Sequence, residues 1–261
     1  MEQFFTLYLK LFFMMTPFFV LSVFLTLCAN YEDLSYFANN ESGLVELEQL
    51  ILAGYTPYLE KLSIITEENR EDAKQLLTIF NQFKILCATR LGEWGVHEIN
   101  KRCENVLSKA GLINKQTISP ENESYSWYPG RPIMITENNY HLGLYNGDIG
   151  ICLLNEEQQL RVYFQMADGT IADFQSSRLP NFETVFAMTV HKSQGSEFTH
   201  TILALPENPL PVVTRELIYT GITRAKKRLT LFADLRLMSK ASKSKTQRAS
   251  RLVERLQIKD F

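Results

Sequence analysis

An α/β fold interrupted by a β-rich insertion is predicted for this chain by three observations. A short apolar run at 85–88 leads through a glycine loop (Gly92, Gly95) into an amphipathic stretch, which is half of a βαβ unit. From Pro132 the hydrophobic period falls from helical to strand-like, with glycine turns between the runs. Strand and helix patterning resumes at Thr184.

The elements follow in order. Residues 11–29 carry no charge and approach the roughly 20 apolar residues of a membrane-spanning helix. A membrane anchor, a buried core helix and a segment foreign to the domain behind it all fit this stretch. We take it as foreign, and a membrane partner as disfavoured. After the polar break at 39–43, Leu44, Leu47, Ile51, Tyr55, Tyr58, Leu59 and Leu62 recur at helical spacing, with an interruption near Gly54 and Pro57. A second amphipathic helix runs over 67–83, with Ala73, Leu76, Leu77, Phe80 and Phe83 on one stripe and acids in its first turn. The run at 85–88 is a buried strand. The helix over 96–110 turns Ile99, Cys103, Val106 and Leu107 inward and stops at Gly111. Residues 114–126 are a polar loop.

Strands are predicted at 132–136, 150–154, 160–166 and 170–175, joined by turns at 146–148 and 167–169. Together 131–179 make a small antiparallel barrel or meander set into the α/β unit. Then come a strand at 184–188, a helical turn at 190–194 and a strand at 201–205. A loop with three prolines follows, then a helix capped by Thr214 that runs to Ala225, and a strand at 229–232. The tail at 239–256 sets six basic residues against Glu254. It suits phosphate tracking or a solvated helix with a Leu252/Leu256 stripe.

Composition narrows the chemistry. The 261 residues, 45% hydrophobic, 21% charged and of net charge −2, describe a globular protein without a bulk basic field. A nucleic-acid site would have to be local. Cys28, Cys87, Cys103 and Cys152 lack ligand spacing, so neither zinc nor a disulfide frame is expected, and no metal site is assigned. Reduced thiols suit a cytoplasmic protein. His97, His141 and His200 have no partner at ligand spacing, and Asp148 and Asp168 belong to turns. Trp94 and Trp127 could stack on bases, but burial or loop packing fits them better.

The densest chemistry lies at 189–198, TVHKSQGSEF. Donors His191, Lys192, Ser193 and Gln194 crowd one glycine directly after a buried strand, at a sheet edge of the kind where ligands bind. Gly195 allows close backbone approach, and Glu197 can accept hydrogen bonds from a ribose. Arg224 near a helix end suits either the helix dipole or a fork on a transferring phosphate. Arg131, Arg161, Arg178 and Arg215 are alternatives on composition. No Gly-x-x-x-x-Gly-Lys-Ser/Thr phosphate loop occurs, since no glycine is followed by lysine.

TVHKSQGSEF at 189–198 with YTGITRA at 219–225 resembles the fifth and sixth motifs of superfamily 1 helicases. YPGRPIMI at 128–135, GLYNGDIG at 143–150, DGTI at 168–171 and SRLP at 177–180 narrow the resemblance to the RecD family, the alpha subunits of exodeoxyribonuclease V (RecBCD). The likeness runs from about Asn30 to Phe261 and excludes 1–29. It implies a second RecA-like (P-loop NTPase-type) helicase domain over 84–127 and 184–236. That domain would hold an inserted SH3-like β-barrel over 128–183, follow a helical lead-in at 30–83 and precede a basic tail at 237–261. It implies ATP-dependent 5′→3′ translocation on single-stranded DNA, with ATP and Mg²⁺ as cofactors and RecB and RecC as partners, in recombinational double-strand break repair. Carried over by position, Gly195, Glu197 and Arg224 meet the nucleotide, with Arg224 the catalytic arginine finger. Thr189, His191, Lys192 and Gln194 lie along the DNA. Without a phosphate loop the chain alone is expected to be inactive and to need an upstream N-terminal half. The alternative is an ATP-independent DNA-binding or RecC-docking module.

Overall fold

The computed structural model describes residues 32–64, 70–114 and 127–243. The apolar stretch at 1–29, the loop at 115–126 and the tail beyond 243 lie outside them. Among the described residues no helix is long and apolar enough to cross a membrane.

The described residues form two five-stranded sheets. The first is wholly parallel, in the order β1-β10-β9-β2-β8. Its strands are β1 (Leu34–Phe37), β2 (Phe83–Cys87), β8 (Ala187–Thr189), β9 (Phe198–Ala204) and β10 (Ala225–Phe232). The second is antiparallel, in the order β6-β5-β4-β3-β7. It comprises β3 (Pro132–Ile135), β4 (Ile149–Leu154), β5 (Leu160–Gln165), β6 (Ile171–Phe174) and β7 (Phe182–Thr184), with β6 and β7 at its edges. In sequence it lies between β2 and β8, as an insertion.

Helices α1 (Glu41–Ile64), α2 (Arg70–Phe80), α3 (Val96–Lys109), α4 (Arg215–Ile222) and α5 (Leu235–Lys243) complete the fold. Strand residues of a parallel sheet need cover on both sides. Gly54 of α1 lies where a Cβ would meet the Phe83 ring, and Gly221 of α4 where one would meet Leu203. Leu203 is in register with Leu86, three residues from Phe83, so the two helices cover opposite faces.

The structure corrects four expectations. The region at 30–83 is not purely helical, because Leu34–Phe37 forms edge strand β1 on β10. Its partner is far away in sequence, so no local pattern marks it. Helix α1 passes through Gly54 and Pro57 without a break. Burial of Tyr55, Tyr58 and Leu59 outweighs the weak local signals. The single strand expected at 184–188 is two strands. β7 joins the antiparallel sheet through β3, and β8 joins the parallel one through β2. The helix after Thr214 ends at Ile222, and β10 starts at Ala225, earlier than expected. Thr214 does cap it, its hydroxyl accepting from Leu217 N at 3.3 Å.

One large core joins the helices and the parallel sheet and takes in Met134, Ile151, Leu153, Tyr163 and Ile171 from the antiparallel one. The opposite residues, Ile133, Ile135, Cys152, Val162 and Phe164, form a smaller separate core. Cys87, Cys103 and Cys152 are buried. Trp94 is buried and stacks on Phe232 at 5.3 Å, which removes it as a base platform. Trp127 packs on Phe182, with the Arg131 guanidinium 5.0 Å above its ring.

Candidate nucleotide and nucleic-acid edges

The residues of 189–198 do not form one cluster. They run from one end of the parallel sheet to the other. Thr189 pairs with Cys87, which pairs with Ala204, so Thr189 stands at the carboxyl end of three adjacent strands. Phe198 pairs with Ala225 at the amino ends of β9 and β10. The seven residues of β9 separate the two ends by about 20 Å at the usual strand rise.

At the carboxyl end, a single 3₁₀ turn, His191–Ser193, follows β8. Ser193 is buried and donates its hydroxyl to Val190 O at 2.7 Å. Thr189 Oγ1 accepts from Lys192 N at 3.3 Å. These two bonds pin the turn and leave His191 and Gln194 exposed. Lys192 is not a free cation. Its Nζ lies 2.8 Å from Glu183 Oε1, while Arg90 Nη2 lies 2.8 Å from Glu183 Oε2.

At the amino end, Gly195 has φ of +87° with open space around its Cα, a conformation that suits glycine. Arg224 follows α4 and folds back on this turn. Its Nη1 donates to Ser196 O at 2.9 Å, its Nε to Thr220 O at 3.2 Å and its Nη2 to Thr223 Oγ1 at 3.2 Å. Those bonds use three of the five guanidinium N–H groups and leave one on each terminal nitrogen. Phe198 N donates to Arg224 O at 2.8 Å, tying the two motifs together through the backbone. Exposed Glu197 lies 3.8 Å from Lys226 Nζ, and Lys227 and Arg228 extend the basic surface. Arg224 and Lys226 therefore reach the Ser196–Glu197 segment that follows the exposed glycine turn.

The structure sets the other candidates apart. Arg131 is buried and bonds Thr184 Oγ1 at 3.0 Å, and Arg161 pairs with Asp173 at 2.7 Å. His200 bonds Thr230 Oγ1 at 2.9 Å, and burial, helped by Arg228, pushes its pKa down to about 4. Asp168 accepts from Thr170 N and Oγ1 within its turn, and these bonds lower its pKa. Among the described residues no group of three or more His, Cys, Asp or Glu could hold a metal ion.

Two residues escaped the sequence reading. Asn100 is a polar residue on the buried stripe of α3, a signal that was available. Its Nδ2 donates to Ala187 O at 3.0 Å and its Oδ1 accepts from Ala187 N at 2.9 Å, so the side chain stands in for a neighbouring strand along edge strand β8. Glu183 had no such signal, because one of its partners is 93 residues away.

Comparison with known proteins defines the class first. Residues 184–232 match the model of the UvrD-like helicase C-terminal domain, so the parallel sheet with its two motif-bearing turns is a helicase-type α/β fold. The relatives are more particular. The chain is 40% identical over 189 residues to "RecBCD enzyme subunit RecD" of Haemophilus influenzae, covering 71% of this chain and 27% of that protein. It is 35% identical over 202 residues to the RecD subunit of Buchnera aphidicola from Acyrthosiphon pisum, covering 77% and 32%. To the "ATP-dependent RecD2 DNA helicase" of Deinococcus radiodurans it is 36% identical over 100 residues, covering 38% and 14%. This chain is related to the C-terminal portion of RecD subunits and spans 27–32% of the length of the two RecD relatives named. Among solved structures it is similar to a Pif1 helicase from Bacteroides in complex with ADP-AlF3 and ssDNA. That match has a TM-score of 0.38 and 16% identity, and covers 85% of this chain and 54% of the other.

Proposed function

We propose that this chain is the C-terminal motor portion of an ATP-dependent 5′→3′ DNA helicase subunit of the RecBCD exodeoxyribonuclease V type. It would act with RecB and RecC on single-stranded DNA in cytoplasmic double-strand break repair. The observation that carries this reading is the split of one continuous motif between two ends of one sheet. Gly195, Glu197 and Arg224 share the basic amino end, with the open glycine turn and two spare guanidinium N–H groups that a phosphate needs. Thr189 closes β8 at the carboxyl end and Lys192 reaches Glu183 there, where a strand of DNA can pass, and the turn through His191 and Gln194 leads from that end back to Gly195. One rigid turn then links the two ligands.

In this reading Glu197 takes the ribose and Arg224 stabilises charge on the transferring phosphate. The antiparallel sheet acts as the SH3-like module of 128–183, inserted between the 84–127 and 184–236 parts of a RecA-like domain. Bound ATP would supply the phosphoryl-transfer chemistry. Its phosphates and Mg²⁺ would be held by a phosphate loop and acids outside these residues. The 261 residues alone therefore turn over little or no ATP.

The test is DNA-dependent ATP hydrolysis by the chain, alone and mixed with a polypeptide carrying a RecD-type phosphate loop. Activity is expected only in the mixture, and Arg224→Ala should lower it about 10³-fold or more. Hydrolysis by the chain alone that disappears with Arg224→Ala would overturn the proposal.

A further inference from the structure

The ion-pair triad at the carboxyl end has a shape of its own. Arg90 leaves the end of β2, and Lys192 leaves the end of the adjacent strand β8. Both belong to the edge where open α/β sheets receive ligands. Glu183 comes from β7 of the other sheet. It offers one carboxylate oxygen to each cation, both at 2.8 Å. Against two cations stands one acid. The lysine side of the triad is three-quarters covered, with side-chain exposures of 23% for Lys192 and 21% for Glu183, whereas Arg90 is half exposed at 50%. A phosphate presents two non-bridging oxygens with a similar reach and accepts the same donors.

We propose that Arg90 and Lys192 form a phosphate-binding pair that Glu183 occupies with its carboxylate, and that an incoming phosphate displaces Glu183. The ligand is a phosphate carried either by a DNA strand or by a nucleotide. Binding there releases β7 from the turn that follows β8. The antiparallel sheet thereby senses whether the carboxyl end is filled. This rests on the reading of that end as ligand-facing, and it adds Arg90 as a contact and Glu183 as the competing anion.

Glu183→Gln keeps the shape and removes the competing charge. Binding of a labelled oligothymidylate at low salt, read by anisotropy, should tighten about fivefold, the scale of one exposed ion pair. The gain should vanish when Lys192→Ala or Arg90→Ala is added. Pyrophosphate titrated into the same variants separates the sources, since a gain with pyrophosphate alone assigns the pair to a nucleotide. Should Glu183→Gln lower the melting midpoint, Lys192→Gln and Arg90→Gln serve instead. Each should weaken oligothymidylate binding and reduce its salt slope by about 0.7. Wild-type chain that binds the oligonucleotide no less tightly than Glu183→Gln, with single cation variants also unchanged, overturns the inference and leaves the helicase reading standing. Oligonucleotide binding by none of the proteins, with a pyrophosphate gain intact, keeps the pair and overturns the DNA-binding part of the proposed function. No gain with either probe overturns the pair.

Discussion

The parallel and antiparallel sheets have the same number of strands but are built from different distances along the chain. β3 to β6 are joined by local connections, a loop over 136–148 and then two short turns. Gly147 at φ +103° and Gly169 at φ +83° close two of them, and Asp168 bonds Thr170 across the second. The parallel sheet is assembled from all over the chain. It pairs Leu34 with Leu229 and Phe83 with His200, and its edge strand β8 has to borrow Asn100 as a neighbour. The lesson is a division of labour. Local turns make a module that can be inserted whole, while long-range pairing builds the sheet whose two ends carry the motifs.

Each tryptophan reports one of these regions, Trp94 beside Phe232 and Trp127 beside Phe182. The largest effect is expected from Tyr55→Ala. Tyr55 packs on Phe80, Phe83 and Phe186, and its hydroxyl donates to Phe186 O. Truncation should cost about 3–5 kcal/mol. Because the main core includes residues of both sheets, denaturant unfolding followed by Trp94 alone (in Trp127→Phe) and by Trp127 alone (in Trp94→Phe) should shift together. A shift in the Trp94 signal only would make the inserted sheet an independent folding unit.

Asn100→Ala comes next. It leaves the N–H and C=O of Ala187 without their side-chain partners and should cost about 2–4 kcal/mol in chemical denaturation. An effect below about 1 kcal/mol would mean that β8 needs no surrogate neighbour.

The third prediction concerns acid. His200 has a folded pKa of about 4 against an ordinary value of 6.5. Below 6.5 the unfolded chain binds a proton that the folded chain refuses. The contribution of His200 is therefore complete above about pH 6.5 and is lost as pH falls toward 4. The loss should be about 3 kcal/mol. His200→Gln should flatten the stability profile over that window, and an unchanged slope would exonerate His200.

The smallest effect belongs to the antiparallel side. Arg161 and Asp173 pair across β5 and β6 at 2.7 Å with both side chains about three-quarters covered. Asp173→Asn should cost about 0.5–1 kcal/mol in the same melts. A much larger loss would show that the inserted sheet depends on charge more than on its turns.

The same contrast explains what could be read from the residues. The turns at 146–148 and 167–169, the stripe on α3 and the Thr214 cap depend on neighbours within a few positions, and all appear as expected. β1, the splitting of 184–188 and the Glu183 triad depend on partners elsewhere, and no local pattern reports them. For the site, the motif residues and Arg224 stood out by type and density. Their separation into two ends did not, because a linear motif gives no measure of how far a turn travels along a strand.

The pairing of β1 with β10 also sets a clock. Tyr36 donates to Ala233 O, 197 residues further along the chain. At roughly 5–20 residues per second of synthesis, β1 waits about 10–40 s for its neighbour to be made. For that interval β1 has no strand to lie against. Helix α1, made directly after it, supplies the first cover: Leu44 and Leu47 join Leu34 in the main core. The order of synthesis thus favours shielding β1 with the helix made directly after it, before the sheet exists to receive it.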